Sequence, residues 1–371
     1  MTLASPFRRA RLPLRALALL AAALFAGALL GIAAAAAPAA PTPPAAPAGT
    51  EETRVWASAS SCRDVVEREH RRLAPDGSAA RLRVAAWNIE WFPDHTDIGW
   101  LACTIAWLNL DLLGVSEIRD SDRARARMGE LLAELARLTG APWQVDLQRC
   151  GAKASQHVGF LWNGARLRLA AAEDAWALNA RARGPEEPCA GWLRPGRHGY
   201  FLTAAGASAG FHALVVHLKS GARPADAAER ASALARLAAA TAALGPGAER
   251  LILLGDFNTM GDGARGSAAA EVRGLLSLAS AAAPALGEGA APACSEYYRG
   301  RGGELDHVLA SRAMGRVSAE GTGVSGYCAV ARCAPISPWL VNARPAAYAS
   351  LSDHCPVVVE LEDGMLSRTR N

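Results

Sequence analysis

The sequence predicts a layered fold of helices and mixed β-sheets, an α/β or α+β architecture, and two observations predict it. Short apolar runs bounded by polar residues recur along the chain, as is typical of buried strands. Helical patterns separate some of these runs, but others follow one another directly, which favours mixed sheets over a simple doubly wound parallel sheet. The runs are Leu82–Trp87, Leu112–Val115, Val158–Trp162, Phe211–Leu218, Leu251–Leu254, Leu305–Ala310 and Pro356–Leu361.

Three longer segments have the residue pattern of helices. Asp122–Thr139 places its methionine and leucines on one face, and Gly140 follows at the point where a helix can end. Ala225–Leu244 is rich in alanine and is followed by a Gly-Pro pair. Ile98–Leu110 is the third predicted helix.

The amino terminus has the pattern of an export signal. Basic residues from Arg8 to Arg15 precede an apolar run, Ala16–Ile32, and then a stretch of small residues. The run is also long enough for an uncleaved membrane anchor. We therefore expect a secreted or periplasmic protein. The predicted division is residues 1–37 as signal or anchor, 38–53 as an Ala/Pro-rich linker, 54–363 as one folded domain and 364–371 as a tail.

Charge limits the class of partner. The 371 residues carry a formal charge of +4, but four of the 39 basic residues lie within the first 15 positions and no acidic residue precedes Glu51. The rest of the chain is close to neutral, which disfavours tight non-specific binding to duplex nucleic acid but not hydrolysis in a local basic cleft. Nothing in the sequence indicates an obligate protein partner, and we expect a monomer.

Eight cysteines follow the signal, and an even number in an exported chain predicts disulfides. Their pairing cannot be derived from spacing, and buried free thiols remain the alternative. Cys328 and Cys333 are close enough in sequence to close a small loop. Cys355 is the best candidate for a free thiol, because it opens an apolar strand. The absence of any CxxC pair disfavours a zinc ribbon.

Polar residues lie at the ends of the predicted strands. Four strands end near Asn88, Glu117, His217 and Asp256, whereas two later strands start near Asp306 and Asp353. If the two later strands run antiparallel to the other four, all six positions lie at one rim. A carboxylate after a single strand is usually a turn or capping residue, but six segments with the same arrangement indicate a common cleft. The residues are Asn88, Glu117, His217, Asp256, Asn258, Asp306, Asp353 and His354.

These residue types point to phosphate-ester chemistry. Clustered carboxylates repel one another unless a cation neutralises them. Oxygen ligands without thiolates favour Mg²⁺, Mn²⁺ or Ca²⁺ over zinc. Histidines supply proton transfer near neutral pH, and amides donate hydrogen bonds to phosphate oxygens. A cation, a base and neutral donors together suit in-line displacement at phosphorus.

Six strings in this order resemble the endonuclease/exonuclease/phosphatase superfamily, which includes pancreatic-type deoxyribonucleases, abasic-site endonucleases, inositol-phosphate phosphatases and bacterial sphingomyelinases. The resemblance spans residues 82–361, and GDFN together with SDH is its most specific part. The strings are WNIEWF (Trp87–Phe92), SEIRD (Ser116–Asp120), VVHLKSG (Val215–Gly221), LLGDFNTM (Leu253–Met260), LDHVLAS (Leu305–Ser311) and SDHCPVVVEL (Ser352–Leu361).

The resemblance implies a four-layer αββα sandwich with two central mixed sheets and a site at one rim. It implies that Glu117 is the principal metal ligand, assisted by Asn88 and Asp353, with Mg²⁺ as the expected cofactor and Mn²⁺ or Ca²⁺ as alternatives. Ser116 stands where members often carry glutamine, so the support of Glu117 is expected to differ.

The resemblance also implies the catalytic groups. His354 would be the general base, oriented by Asp306. Asp256 and Asn258 would position the attacking water and the phosphate, with Asn88 also on the phosphate. His217 would donate to a phosphate oxygen and stabilise the transition state.

The expected activity is hydrolysis of a phosphate ester, most simply DNA or RNA by a nuclease. A phospholipid-headgroup hydrolase of the sphingomyelinase type, a sugar-phosphate hydrolase and a non-enzymatic binding module are the alternatives.

Other segments have open interpretations. Glu173–Arg197 matches no motif and is either a substrate-specific loop or a disulfide-tied surface excursion. The run Tyr297–Arg301 is expected to stack a base or grip a phosphate, or to be a packed loop. Trp91 and Phe92 are expected to pack beneath the site, and His307 to be structural because it faces away from Asp306.

Overall fold

The computed structural model describes residues 50–68, 81–149, 156–192, 194–203, 210–242, 244, 247–278, 281–282, 294–319, 321–337 and 344–362. The predicted signal or anchor, most of the predicted linker and the tail lie outside these ranges. The first described helix begins at Glu51, within the predicted linker. In the described ranges, no helix combines the length and the apolar character that crossing a membrane requires.

Fifteen strands are described. They form two large sheets and one small hairpin. In chain order they are β1 (Arg81–Phe92), β2 (Leu112–Arg119), β3 (Trp143–Leu147), β4 (Gln156–Asn163), β5 (Leu167–Asp174), β6 (Arg197–Thr203), β7 (Phe211–His217), β8 (Leu251–Asp256), β9 (Ala281–Ala282), β10 (Glu296–Tyr298), β11 (Arg301–Gly303), β12 (Asp306–Ser311), β13 (Arg316–Val317), β14 (Gly323–Val324) and β15 (Val357–Glu362).

The described α-helices flank the sheets, and short 3₁₀ turns connect some of the elements. The helices are α1 (Glu51–Val55), α2 (Ala59–Arg68), α3 (Ile98–Leu108), α4 (Asp122–Thr139), α5 (Pro224–Ala242), α6 (Ser267–Leu278), α7 (Tyr327–Ala331) and α8 (Ala346–Ser350). The 3₁₀ turns are Trp176–Leu178, Ala190–Trp192 and Arg312–Met314.

The two large sheets pack face to face. The first has the order β13-β15-β1-β2-β4-β3, with β14 also paired to β15, and the second has the order β5-β6-β7-β8-β12-β9. One apolar core between them joins Val84 and Phe160 of the first sheet to Val215 and Leu254 of the second. Gly114 marks the close approach, because a Cβ there would lie 2.6 Å from a side-chain carbon of Leu254.

Helices cover the outer face of each sheet, which completes the predicted four-layer αββα sandwich. Leu101 of α3 and Leu131 of α4 share a core with Leu113 of the first sheet. On the far side, Leu237 of α5 packs with Leu253 of the second sheet. Burial of apolar residues on both faces explains why the strands appear in the sequence as short continuous apolar runs.

Strand direction brings the predicted residues to one rim. In the first sheet β1 runs parallel to β2 and antiparallel to β15. In the second sheet β7 runs parallel to β8, and β8 is antiparallel to β12. The ends of β1, β2, β7 and β8 therefore lie beside the starts of β12 and β15, as predicted.

The boundaries of the helices follow from local capping. The hydroxyl of Ser121 accepts a hydrogen bond from the N–H of Ala124 at 3.1 Å, and Gly140 ends α4 with a φ of 67°, so the predicted bounds are confirmed. The observed α3 ends at Leu108, two residues before the predicted end, because Asn109 adopts a left-handed φ of 53°.

The disulfide bonds correct two predictions. The bridges are Cys62–Cys103, Cys294–Cys333 and Cys328–Cys355, and Cys189 is also disulfide-bonded. Cys355 is therefore not free, and Cys328 does not pair with Cys333. The strand-opening position turns Cys355 inward, where the start of α7 meets it and the N–H of Cys328 approaches its Sγ at 3.2 Å. No cysteine in the described ranges is free.

Arg230 of α5 is completely buried and ties two rim loops together. Its guanidinium pairs with Glu271 of α6 at 2.6 and 3.0 Å. It also donates to the carbonyl oxygens of Lys219, Gly221 and Gly261, at 3.0, 2.7 and 2.7 Å. These loops follow β7 and β8, so this one arginine fixes the path of the chain after two of the strands that form the rim.

We expect Arg230→Met to lower the free energy of unfolding by about 3–5 kcal/mol, because it leaves the carboxylate of Glu271 and three carbonyl oxygens without their donor. The matched control is Arg236→Met on the exposed side of the same helix, with an expected change within about 0.5 kcal/mol. Denaturant unfolding measures both variants. Equal losses in the two variants would contradict this role of Arg230.

Candidate active site

A buried histidine–carboxylate pair lies at the centre of the rim. The Nδ1 atom of His354 is 2.6 Å from Oδ2 of Asp306, and Asp306 is fully buried at the start of β12. Backbone bonds hold both residues: the hydroxyl of Ser295 accepts from the N–H of Asp306 at 2.8 Å, and that of Ser352 accepts from the N–H of His354 at 2.9 Å. Because Nδ1 faces Asp306, Nε2 is the ring atom left for the cleft.

Asp256 lies between the two histidines of the rim. Its Oδ2 is 4.0 Å from Nε2 of His354 and 3.4 Å from Nε2 of His217. The N–H of Asn258 donates to Oδ1 at 2.9 Å, and the side-chain amide of Asn88 donates to Oδ2 at 3.1 Å. The bond from Asn88 joins β1 of one sheet to β8 of the other, so the site spans both sheets.

Glu117 lies on the other side of Asn88. The Asn88 amide donates to its Oε1 at 3.3 Å, and the N–H of Trp91 donates to its Oε2 at 3.2 Å. Nε2 of His217 is 3.8 Å from Oε1 of Glu117. Because Oδ1 of Asn88 accepts from the N–H of Glu90 at 3.1 Å, its nitrogen rather than its oxygen faces the carboxylates. Asn88 is therefore arranged as a donor, and its predicted part in metal binding stays a prediction.

Local backbone geometry agrees with a specialised site. Glu117 and Asn258 have left-handed φ values of 64° and 51°, and Glu90 and Trp91 are also at positive φ. Such conformations cost about 1–3 kcal/mol for residues other than glycine and persist where surrounding contacts enforce them. Ser116, where family members often carry glutamine, has a buried hydroxyl with no hydrogen-bond partner in the described ranges. The side chain of Glu117 is therefore supported by Asn88 and the N–H of Trp91 instead.

The rim contains two acidic residues that the sequence did not single out. Glu90 accepts a hydrogen bond at 3.0 Å from the N–H of Asp353, whose Oδ1 is 3.9 Å from Nε2 of His354. Glu296 forms an isolated backbone bridge with His354 and is buried. Glu90 lies within the WNIEWF string, but Glu296 immediately precedes the run Tyr297–Arg301 and belongs to none of the family strings. Only the fold brings Glu296 to the site.

Burial and mutual repulsion perturb the ionisation of these carboxyl groups. Burial, together with Asp306, raises the pKa of Asp256 to about 7. Burial, together with Asp353, raises the pKa of Glu90 to about 7. The pKa of Asp353 is also raised by burial, and Glu117 adds to the effect. Burial and neighbouring carboxylates thus favour the protonated form of these groups, which a nearby cation would oppose.

The pKa values of the two histidines are shifted in opposite directions. Burial lowers the pKa of His354, but Asp306, Asp353 and Asp256 outweigh it and hold that pKa well above the ordinary value. Burial and the neighbouring Arg194 lower the pKa of His217 well below the ordinary value. His217 is therefore a neutral imidazole, whereas His354 is set up to hold a proton. Opposite shifts of this kind are typical of functional sites.

Arg194 is a further site residue that the structure brings to the rim. Its Nη2 is 3.4 Å from Nε2 of His217, and its Nη1 donates to Oε1 of Gln156 at 2.5 Å. Burial lowers its pKa, while Glu117 and Asp256 favour its charge. Its Nε has no hydrogen-bond partner in the described ranges. With Lys219, it lines a small pocket beside His217.

The unmatched segment Glu173–Arg197 therefore reaches the site through Arg194. Arg197 has a different role: its guanidinium is buried and pairs with Asp146 at 2.7 Å and Asp174 at 2.9 Å. Sequence alone does not distinguish the roles of Arg194 and Arg197. In the structure Arg197 opens strand β6 whereas Arg194 precedes it, so their side chains have different surroundings.

Other predictions are settled by burial. His307 is buried, its Nε2 lies 3.0 Å from the hydroxyl of Thr259, and burial lowers its pKa to about 4, so its structural role is confirmed. Tyr297 is also buried and donates to the carbonyl of Ala334 at 2.9 Å. Phe92 is buried as predicted, but the prediction for Trp91 is wrong: its ring is 37% exposed. The positive φ of Trp91 turns its side chain out of the sheet.

The residues present fit a hard divalent cation. The cluster presents oxygen ligands, burial raises the pKa of Asp256 and Asp353, and no described cysteine is free to ligate. The tightest set of candidate ligand atoms belongs to Asp256, Asp306 and His354, within 4.8 Å of one another. Nδ1 of His354 and Asp306 already engage each other, and Glu117 is not part of this set, so its predicted role as the principal ligand stays a prediction.

The raised pKa values predict a pH-dependent stability. Burial raises the pKa of Glu296 to about 8 and that of Glu90 to about 7, from 4.5 in an unfolded chain. Between these values Glu296 and Glu90 keep protons in the folded protein that the unfolded chain has released, so these two groups lower the free energy of unfolding as pH rises. Without metal, the thermal midpoint should therefore fall between about pH 5 and about pH 8, and Mg²⁺ should raise it more at the higher pH.

Thermal unfolding in EDTA and in excess Mg²⁺ measures both effects. Glu296→Gln, which cannot ionise, is the matched variant and should show a smaller decline with pH. A midpoint that rises across this range in EDTA, or an equal Mg²⁺ effect at both pH values, would contradict the assignment.

Comparisons with known proteins agree with this architecture. The model of the Endonuclease/Exonuclease/phosphatase family matches residues 85–354. A family protein from Bacteroides thetaiotaomicron has a similar fold, with a TM-score of 0.50 and 16% identity over 76% of this chain and 97% of that one. Truncated TDP2 from Caenorhabditis elegans aligns with a TM-score of 0.48 and 14% identity, over 76% and 98% of the two chains. No curated protein matches by sequence.

The family match covers most of the sandwich and runs from β1 to His354. Members of this family are hydrolases of phosphoester bonds. The chain therefore belongs to the endonuclease/exonuclease/phosphatase family.

Proposed function

We propose that the protein is a divalent-cation-dependent phosphodiesterase that hydrolyses DNA or RNA outside the cytoplasm. The observation that carries the proposal is the pair His354–Asp306 directed at Asp256, with His217 on the far side of the same carboxylate. A base, a water-holding acid and a neutral donor thus converge on one point. This is the set that attack of water on a phosphate ester requires.

His354 is the group that takes the proton from water. Asp306 fixes its ring through Nδ1 and stabilises the imidazolium that forms when Nε2 gains a proton. The 4.0 Å between Nε2 and Oδ2 of Asp256 is too long for a hydrogen bond, and one water can bridge it. Asp256, steadied by the N–H of Asn258, orients that water toward phosphorus.

Neutral and cationic donors would bind the phosphate. The neutral imidazole of His217 donates one N–H, and the amide of Asn88 lies beside it. Asn258 is held rigid because its side-chain amide donates to the carbonyl of Leu218 at 3.1 Å. Arg194 and Lys219 add positive charge next to His217, where a phosphorane-like transition state gains negative charge.

A divalent cation bound by Glu117 and its neighbours would neutralise the carboxylates, polarise the phosphate and oppose protonation of His354. Glu117 and Asp353 are the residues we expect to hold it. Mg²⁺ is the expected ion, since the ligands are oxygens and the cluster lacks thiolates.

The disulfides support an extracytoplasmic location. Three bridges and a further disulfide-bonded Cys189 are stable in an oxidising compartment and rare in the cytosol. The bridge Cys328–Cys355 adjoins His354, and the N–H of Cys355 donates to the carbonyl of Ser295 at 2.7 Å. The Cys328–Cys355 disulfide therefore stabilises the backbone that holds the pair His354–Asp306.

We expect the mature protein to cleave single-stranded and plasmid DNA or RNA in Mg²⁺, and EDTA to abolish cleavage. His354→Ala should lower kcat by about 10²–10⁴-fold, because it removes the general base. The matched control is His95→Ala, an exposed histidine that the proposed mechanism does not use. Gel assays with labelled oligonucleotides measure these rates.

Two outcomes would contradict the proposal. Release of phosphocholine or inorganic phosphate without cleavage of DNA or RNA would assign another ester to the same site. Full activity of His354→Ala would remove the histidine from the mechanism.

A further inference from the structure

Exposed aromatic rings border the acidic side of the site. Within the described ranges, three large hydrophobic side chains are exposed, and two of them lie at this border. The three are Trp91 at 37%, Trp176 at 37% and Tyr298 at 57% exposure. Large exposed rings at a functional rim, rather than in the core, need an explanation beyond folding.

Trp91 is built into the wall of the site. Its backbone N–H donates to Oε2 of Glu117 at 3.2 Å, so the backbone that carries the ring is anchored to a candidate cation ligand. The guanidinium of Arg119 lies over the ring, 4.5 Å from its centroid. Asp94 pairs with Arg119 at 2.6 Å and holds it in place. The ring is therefore supported on one face before any ligand arrives.

Tyr298 repeats this arrangement on the other side. It pairs with Arg301 across a two-residue turn formed by Arg299 and Gly300, at φ values of 52° and 78°. The Arg299 guanidinium lies over its ring, 5.2 Å from the centroid. The N–H of the preceding residue donates to the carbonyl of Asp353 at 3.0 Å, so the hairpin is anchored to the site.

The surroundings of these rings favour a nucleobase over a lipid surface. Acidic residues adjoin both segments: the carboxylate of Glu90, next to Trp91, accepts a hydrogen bond from the backbone N–H of Asp353, and the Asp353 carbonyl accepts one from the N–H of Tyr297. An apolar surface interrupted by acids does not insert into a bilayer. A flat ring backed by a guanidinium is instead the arrangement that stacks a base, and the nearby arginine attracts the adjoining phosphate.

Resting on the proposed phosphodiesterase function, we propose that Trp91 and Tyr298 are stacking platforms for unpaired bases that flank the scissile phosphate of a single-stranded nucleic acid. Stacking requires a free base face, which a base inside a duplex does not offer. After its first 15 residues the chain is close to neutral in charge. This charge agrees with recognition through a few stacked bases rather than through many phosphate contacts.

The test compares two oligonucleotides of equal length in Mg²⁺, one with normal bases and one abasic with the same phosphates. The quantity measured is the ratio of the KM of the abasic strand to that of the normal strand. We expect this ratio to exceed one in the wild type and to fall about 5- to 100-fold in Trp91→Ala, with a similar fall in Tyr298→Ala.

Matched variants separate stacking from damage to the fold. Trp91→Phe keeps an aromatic face and should retain most of the ratio. Trp176→Ala removes an equally exposed tryptophan on another segment and should keep the wild-type ratio. Thermal midpoints of all variants check that each is folded.

Each outcome decides between the hypotheses. A wild-type ratio of one, or an unchanged ratio in both Trp91→Ala and Tyr298→Ala, would overturn the stacking proposal. Cleavage of both strands would still support the phosphodiesterase function. Cleavage of neither strand would overturn the proposed function itself. Loss of binding to phosphatidylcholine vesicles in Trp91→Ala, with the ratio unchanged, would assign the rings to a lipid surface.

Discussion

Mutual repulsion among buried carboxylates is the constraint on which this site depends. Asp256 and Asp306 face each other as paired residues of adjacent strands, and Asp353 and Glu117 lie within the same rim. Without a compensating charge, burial forces some of these groups to keep protons at neutral pH. The proposed cation would neutralise these groups, so its binding is expected to relieve this repulsion.

The two-sheet sandwich is what makes this arrangement stable. The face-to-face core fixes the distance between the sheets, and the hydrogen bond from Asn88 to Asp256 then crosses from one to the other at the rim. Behind the rim, Arg230 fixes the loops after β7 and β8. The bridges Cys294–Cys333 and Cys328–Cys355 fix the segments around Ser295 and His354. Rigidity behind the site is needed because the groups in front repel one another.

Much of the fold and part of the site could be predicted from sequence because both depend on local patterns. The strands that carry Asn88, Asp256 and His354 are short apolar runs ending or starting in polar residues. The only further assumption is that the two strands that start in polar residues run antiparallel to the four that end in them. The family strings then gave the expected roles, and the geometry gathers all eight expected residues at one rim.

What the sequence could not predict depends on contacts between distant segments. Glu296 and Arg194 carry no motif and reach the site only through a hairpin and a loop. The pairing of Cys355 with Cys328 follows from where α7 meets β15, not from spacing. Trp91 follows Asn88 and is predicted to pack beneath the site, but a positive φ turns its side chain outward. Long-range placement and single backbone angles are not encoded in local periodicity.

We propose that separate stretches of chain meet around one cation, with Glu117 as its main ligand, while Asp306 is the hydrogen-bond partner of His354. A Mn²⁺ titration followed by electron paramagnetic resonance tests this claim directly in Glu117→Gln and Asp306→Asn. We expect a much larger loss of Mn²⁺ affinity in Glu117→Gln. A larger loss in Asp306→Asn, or wild-type affinity in both variants, would contradict it.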